Sequence, residues 1–321
     1  MNPLLTGCLV MAAAVLAGVV FYFTSVIVAS YCIYTKTLVR KDSATWSRDP
    51  VLTYPQDEMD SIGQAWMREH LLQKQDVHIQ RDGVNLWGEY YDLGYDRAVM
   101  ILSGRTESLR YGYYFGIPYA KAGFNVLVVD PRGHGLSDGK YNTLGFEESK
   151  DALQWVRYLH ENHHVRSVVF HGICIGAAGG MLAITAPDCP DYVEGLVTEG
   201  MFPCFRESMK NHLIERKRLM WPVLACIDFW MRKYTGHSMG RGPIHVIHKM
   251  RKPLLMLQSL EDPYSTPENA KKLYRRCAST RKQLVLFESG GHSLLRHAHT
   301  ERYDTAITEF LATHISNTVA P

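Results

Sequence analysis

The chain has 321 residues, 46% of them hydrophobic and 21% charged, a composition that excludes disordered and fibrous classes and leaves room for one large domain with an appendage. Its 35 basic and 32 acidic residues give a net charge of +3 and are scattered without long runs, so no nucleic-acid partner is expected. The seven cysteines are odd in number, lack C-x-x-C spacing and are too sparse for a disulfide framework, which points to reduced thiols.

No charged side chain occurs from residue 1 to 35, and residues 9–32 are dominated by Val, Ala, Leu, Ile, Phe and Tyr. Such a stretch is long enough to cross a hydrocarbon layer of about 30 Å as a helix. A cleavable signal normally carries positive charge before a shorter apolar core, and none is present here, so a retained transmembrane anchor over 1–35 is expected. Lys36, Arg40 and Lys41 follow the span, which places the rest of the chain on the cytoplasmic side of a cell membrane. Free thiols agree with a reducing compartment.

Residues 36–75 read as a linker with Pro50 and Pro55, then a juxtamembrane helix with Ile62, Ala65, Trp66 and Leu71 as its apolar stripe. From 76 to 321 the pattern alternates. Strands are predicted at 77–80, 86–91, 98–102, 125–129, 167–171, 195–198, 254–258 and 283–287, several of them continuous apolar runs bounded by turn residues. Helical stretches lie between, as at 146–162, where Ala152, Trp155, Val156 and Leu159 recur on one face. This order predicts an α/β fold, a mostly parallel sheet flanked by helices with an antiparallel start. About residues 202–246 no strand is predicted, and the Met-, Trp- and Phe-rich interval reads as a helical cap insertion.

The chemistry is concentrated at strand ends. His171-Gly172-Ile173-Cys174-Ile175-Gly176-Ala177-Ala178 stands where an apolar strand gives way to a small-residue helix, in the form G-x-C-x-G. A nucleophile on so sharp a turn has strained dihedrals, and flanking glycines let strand and helix approach. At the helix N-terminus the dipole also favours a thiolate. Standing alone, the pattern leaves open a buried structural cysteine in a glycine-rich turn; no Lys-Ser/Thr follows, so it is no phosphate loop.

Two further segments give it company. Ser259-Leu260-Glu261-Asp262-Pro263 follows the next-to-last strand and Ser289-Gly290-Gly291-His292-Ser293 the last. Nucleophile, acid and histidine thus appear in the chain order of a hydrolase triad, Cys174, Asp262 and His292. Asp262 is preferred to Glu261 for its place beside the turn proline. Oxyanion donors are sought in the backbone N–H of Ile175, after the nucleophile, and of Arg105, in the Ser103-Gly104-Arg105-Thr106-Glu107-Ser108 turn. The Arg105 side chain is expected to pair with Glu107 or another carboxylate.

With Gly104 to Ser108, the Asp130-Pro131-Arg132-Gly133-His134-Gly135-Leu136-Ser137 run, the elbow and the Asp262 and His292 neighbourhoods in place, residues 77–311 resemble the α/β-hydrolase superfamily. The likeness is nearest to its lysophospholipase and monoacylglycerol-lipase-like branch, of serine aminopeptidase (S33) type. That resemblance implies a structural role for the D-x-R-G-x-G-x-S run, with no catalytic part for Arg132 or His134. The branch carries serine as nucleophile; cysteine in the elbow is similar instead to dienelactone hydrolase. The implied activity is hydrolysis of ester or thioester bonds through a thioester acyl-enzyme, on a lipid-like or apolar acyl substrate, with no metal and no organic cofactor. Acyl transfer from the same intermediate and a catalytically weak binding protein are the alternatives, and a redox-regulated Cys174 is a third.

Overall fold

The computed structural model describes residues 3–40, 46–50 and 52–315. Lys41, one of the three flanking cations, lies outside the described residues.

Helix α1 (Pro3–Leu38) precedes α2 (Gln56–Glu69), after which strands and helices alternate. The strands are β1 (Lys74–Arg81), β2 (Val84–Tyr91), β3 (Arg97–Leu102), β4 (Asn125–Val129), β5 (Ser167–Ile173), β6 (Val193–Glu199), β7 (Leu254–Ser259) and β8 (Lys282–Phe287). They form one sheet in the order β1-β2-β4-β3-β5-β6-β7-β8. Pairing is antiparallel from β1 through β2 to β4 and parallel from there on. All eight predicted strands are present, and the antiparallel start falls on the first two.

Between them run α3 (Leu109–Lys121), α4 (Phe146–His163) and α5 (Ile175–Ile184), then α6 (Phe205–Glu215) and α7 (Val223–Thr235) in the strandless interval. The last helices are α8 (Pro267–Arg276), the short α9 (Leu295–Ala298) and α10 (Thr300–His314). Helices α4, α5 and α8 bury their apolar faces on one side of the sheet, α2, α3 and α10 on the other. Central strands β3, β4 and β5 are therefore mainly apolar on both faces and, Arg97 apart, buried.

Close layers need small residues. A side chain at Gly112 or Gly116 of α3 would stand 2.8 Å from Val128 and 2.7 Å from Val126 of β4. Helix α2 packs on α3 through Met59, Gly63 and Trp66, while Ile62 and Leu71 face outward. Of the expected stripe Trp66 is buried and Ala65 half-buried, but the packed face is turned toward Met59 and Gly63, because the partner is α3 and its contact point is a glycine.

Helix α1 is long and apolar enough to cross a membrane. Its 36 residues amount to about 54 Å, well beyond the roughly 30 Å that a span needs. The surplus is used in the fold: from Val26 onward one face is buried against α7, Leu144, Ile175 and Phe202. Arg40, counted above as a flanking charge, donates to the carbonyls of Gly135 and Ser137.

Candidate active site

Cys174 sits between β5 and α5 with φ +53° and ψ −110°, a region that an L-residue occupies only under constraint. Its N–H donates to Glu199 O at 2.9 Å, and its carbonyl accepts from Ala178. The flanking glycines permit the turn: a Cβ on Gly172 would lie 2.5 Å from the Ala177 Cα, and one on Gly176 would lie 1.8 Å from the Leu102 carbonyl oxygen. The start of α5 is thereby pressed against the end of β3, where the Arg105 turn begins.

Asp262 is buried in the turn after β7. Its Oδ1 accepts from the N–H groups of Tyr264 and Ser265 at 2.8 and 2.9 Å, which fixes the carboxylate. Its Oδ2 lies 2.7 Å from His292 Nδ1. Glu261 is exposed and takes no part. With Nδ1 engaged, the other ring nitrogen is left free, and Cys174 lies near enough to act electrostatically on the ring.

The His292 side chain is 19% exposed. Burial alone would lower its pKa, but the Cys174 thiolate and the Asp262 carboxylate outweigh burial and hold it well above the ordinary histidine range.

The loop bearing His292 is tied at two points. Tyr111 Oη donates to the Ser293 carbonyl at 2.9 Å, and the Leu295 N–H donates to Glu199 Oε1 at 3.1 Å. Glu199 also accepts from Tyr303 Oη at 2.7 Å, and Tyr303 and Tyr119 in turn flank the His171 ring. Burial raises both Glu199 and Glu107 to about 7. Neither carboxyl was assigned from the sequence. The signal for Glu199 was an acidic residue closing an apolar strand, but its burial is set by α10 over a hundred residues on.

On the oxyanion side, Ile175 N–H opens α5 and has no intrahelical partner. Among the described residues the Arg105 N–H has no acceptor either. The Arg105 peptide is held from behind by His134, whose ring lies between the carbonyls of Arg105 and Arg132 and stacks on Trp46. Burial lowers the pKa of His134 and outweighs the two carbonyls, which act to raise it. Asp130 accepts from the N–H groups of Leu109 and Leu136 and from Arg48, and Arg132 pairs with Asp151. These are structural contacts.

The expected pairing of Arg105 with Glu107 is absent. Glu107 curls back to accept the Gly104 N–H at 2.6 Å, and the Arg105 guanidinium reaches α1, donating to the Thr37 carbonyl at 3.1 Å. The reason is local: a three-residue turn closes more readily than a carboxylate swings to the far side of it. From above, α6 lies over the acid and the base, with His212 stacked on Tyr264 at 3.7 Å and Tyr264 edge-on to His292 at 5.4 Å. Among the described residues no group of three or more His, Cys, Asp or Glu is placed to hold a metal ion.

The buried carboxyls give the fold a pH dependence. Glu107 and Glu199 titrate at about 7 against an ordinary 4.5, so the folded chain holds more protons across that window. Their stabilisation is complete below 4.5 and is lost as pH rises through 7; the raised His292 acts with the same sign. Thermal unfolding followed by circular dichroism is expected to show a midpoint that falls between about pH 5 and 8, and Glu199→Gln is expected to flatten that fall.

Residues 113–318 match the Peptidase S9, prolyl oligopeptidase family. Over 221 residues the chain is 31% identical to the uncharacterized protein YqkD of Bacillus subtilis, covering 67% of this chain and 70% of that one. It is 27% identical over 181 residues to the alpha/beta hydrolase domain-containing protein WAV2 of Arabidopsis thaliana, 52% of this chain and 54% of its relative. Among solved structures the Pyrococcus furiosus esterase Pf2001 superposes with a TM-score of 0.65 at 20% identity, over 85% of this chain and 99% of the esterase.

Proposed function

The chain belongs to the prolyl oligopeptidase family of α/β-hydrolases, and on that premise we propose that it is a membrane-anchored cysteine hydrolase of ester or thioester bonds. One observation carries the reading: a cysteine on a strained elbow, electrostatically coupled to a histidine that is itself held at 2.7 Å by a buried aspartate.

In the proposed cycle His292 takes the Cys174 proton and the sulfur attacks the acyl carbon, forming the C–S bond as the carbonyl π pair moves to oxygen. The N–H groups of Ile175 and Arg105 hold that oxyanion. Collapse expels the alkoxide or thiolate leaving group, which receives the proton from His292. Water, deprotonated by the same imidazole, then attacks the thioester and returns the free thiol. Asp262 orients the ring and stabilises its cationic form throughout.

The membrane enters through α1, anchored with the remainder of the chain on the cytoplasmic side. The apolar residues of α6, α7 and the end of α1 around Cys174 suit a lipid-like or otherwise apolar acyl group. This extends the lysophospholipase-like resemblance, with α6 and α7 as the cap.

The test uses p-nitrophenyl esters and acyl-CoA thioesters of graded chain length with detergent-solubilised protein, beside peptide p-nitroanilides. Turnover of long-chain esters together with an acyl adduct on intact mass that vanishes in Cys174→Ala is the expected result. Cleavage confined to the anilides would replace the ester reading with a peptidase, and an adduct that persists without Cys174 would remove the cysteine from the mechanism.

A further inference from the structure

Helices α1 and α7 lie side by side and run in the same direction. Trp230 Nε1 donates to Ser30 Oγ at 3.1 Å, Tyr31 meets the Trp230 ring edge-on at 5.1 Å, and Tyr34 stacks on Tyr234 at 5.7 Å. Later residues of one helix thus meet later residues of the other. The N-terminal end of α7 therefore points along the exposed, apolar part of α1.

Seven residues separate Trp230 from Val223, the first of α7, a distance of about 10 Å along the axis. The turn before Val223 is carried that far past Ser30, to roughly the level of Tyr22 and Phe23. A second measure leads to the same level. Burial of α1 against the fold begins at Val26, and Tyr22 and Phe23, just before it, are 40% and 45% exposed.

What stands at this level is Arg216-Lys217-Arg218-Leu219-Met220-Trp221, exposed along its whole length. Trp221 is 71% exposed and Leu219 53%, with Phe229 on the outer face of α7 at 56%. Three consecutive cations beside an exposed tryptophan and aliphatic side chains suit the boundary between anionic headgroups and acyl chains, where aromatic rings and basic residues are enriched. Tyr22 and Phe23 supply further rings on the neighbouring helix.

We propose that residues 214–221 and the Phe229 face of α7 form a second membrane contact, seated in the headgroup layer of an anionic leaflet beside α1. Helix α6, which leads into this turn, lies over Tyr264 and His292, so the contact holds the approach to Cys174 against the lipid surface. The inference rests on α1 as the anchor and is independent of the cysteine chemistry.

The experiment places the full chain in phosphatidylcholine nanodiscs with acyl chains brominated near the headgroup, with and without phosphatidylserine, and compares tryptophan quenching in wild type and Trp221→Phe. Bromine is expected to quench a component that Trp221→Phe lacks. Phosphatidylserine is expected to deepen that quenching, and Arg216→Gln/Lys217→Gln/Arg218→Gln to cut the gain by half or more. Equal fractional quenching of wild type and Trp221→Phe would overturn the contact, and indifference to phosphatidylserine would overturn its anionic character. Alkaline carbonate extraction separates the two levels: an extracted chain defeats the anchor and the contact together, whereas a retained chain with an unquenched Trp221 defeats the contact alone.

Discussion

Cys174→Ala is expected to lower kcat for any ester the enzyme turns over by about a thousandfold or more, because the nucleophile is removed while the oxyanion donors and the apolar site remain. Cys174→Gly is expected to be equally inactive yet more stable than Cys174→Ala. Position 174 has φ +53°, and a Cβ held in such a region carries a strain that glycine relieves, by about 1 kcal/mol. Urea unfolding of the two variants beside steady-state kinetics reads both effects. Equal stability would mean that the elbow is unstrained, and residual turnover near the wild-type rate would mean that the sulfur does not attack.

The second large effect is structural. Gly176→Ala puts a methyl group 1.8 Å from the Leu102 carbonyl oxygen and 2.7 Å from that of Ser103. Both obstacles are backbone, held in a central strand and its exit turn, and no rotamer change removes them. The variant is expected to lose about 4 kcal/mol or more, among the largest costs a single methyl can impose. Expression yield and the urea midpoint check it. Where some protein folds, α5 has to shift away from β3, which separates the Ile175 and Arg105 N–H groups. Turnover should therefore fall further than the folded fraction does, and a variant with wild-type kcat would break the link between this contact and the oxyanion site.

Those same glycines explain why so much of the site was legible in the sequence. An elbow requires small residues at fixed offsets, and the acid and the base require strand ends, so 172, 174, 176, 262 and 292 announce themselves by spacing. Continuous apolar strands such as 98–102 and 125–129 are just as plain, since burial on both faces leaves no polar alternation to confuse with a helix. Contacts made across long stretches of chain were not legible. Nothing near Glu199 says that Tyr303 will bury it, and nothing near Arg105 says that Thr37 will accept its guanidinium in place of Glu107. The α2 stripe was legible only at Trp66, for a related reason: hydropathy counted Ile62 and Leu71, whereas α3 selected Gly63 for its lack of a side chain.

The end of α1 makes Arg105 and Trp230 depend on a segment that composition alone would set apart from the catalytic body. On the proposed anchoring, proteolytic removal of α1 would therefore not release an intact catalytic body. A cut after residue 38 would uncover Ile175, Phe202, Ile227 and Met231 and free the guanidinium beside the elbow. Such a fragment is expected to aggregate.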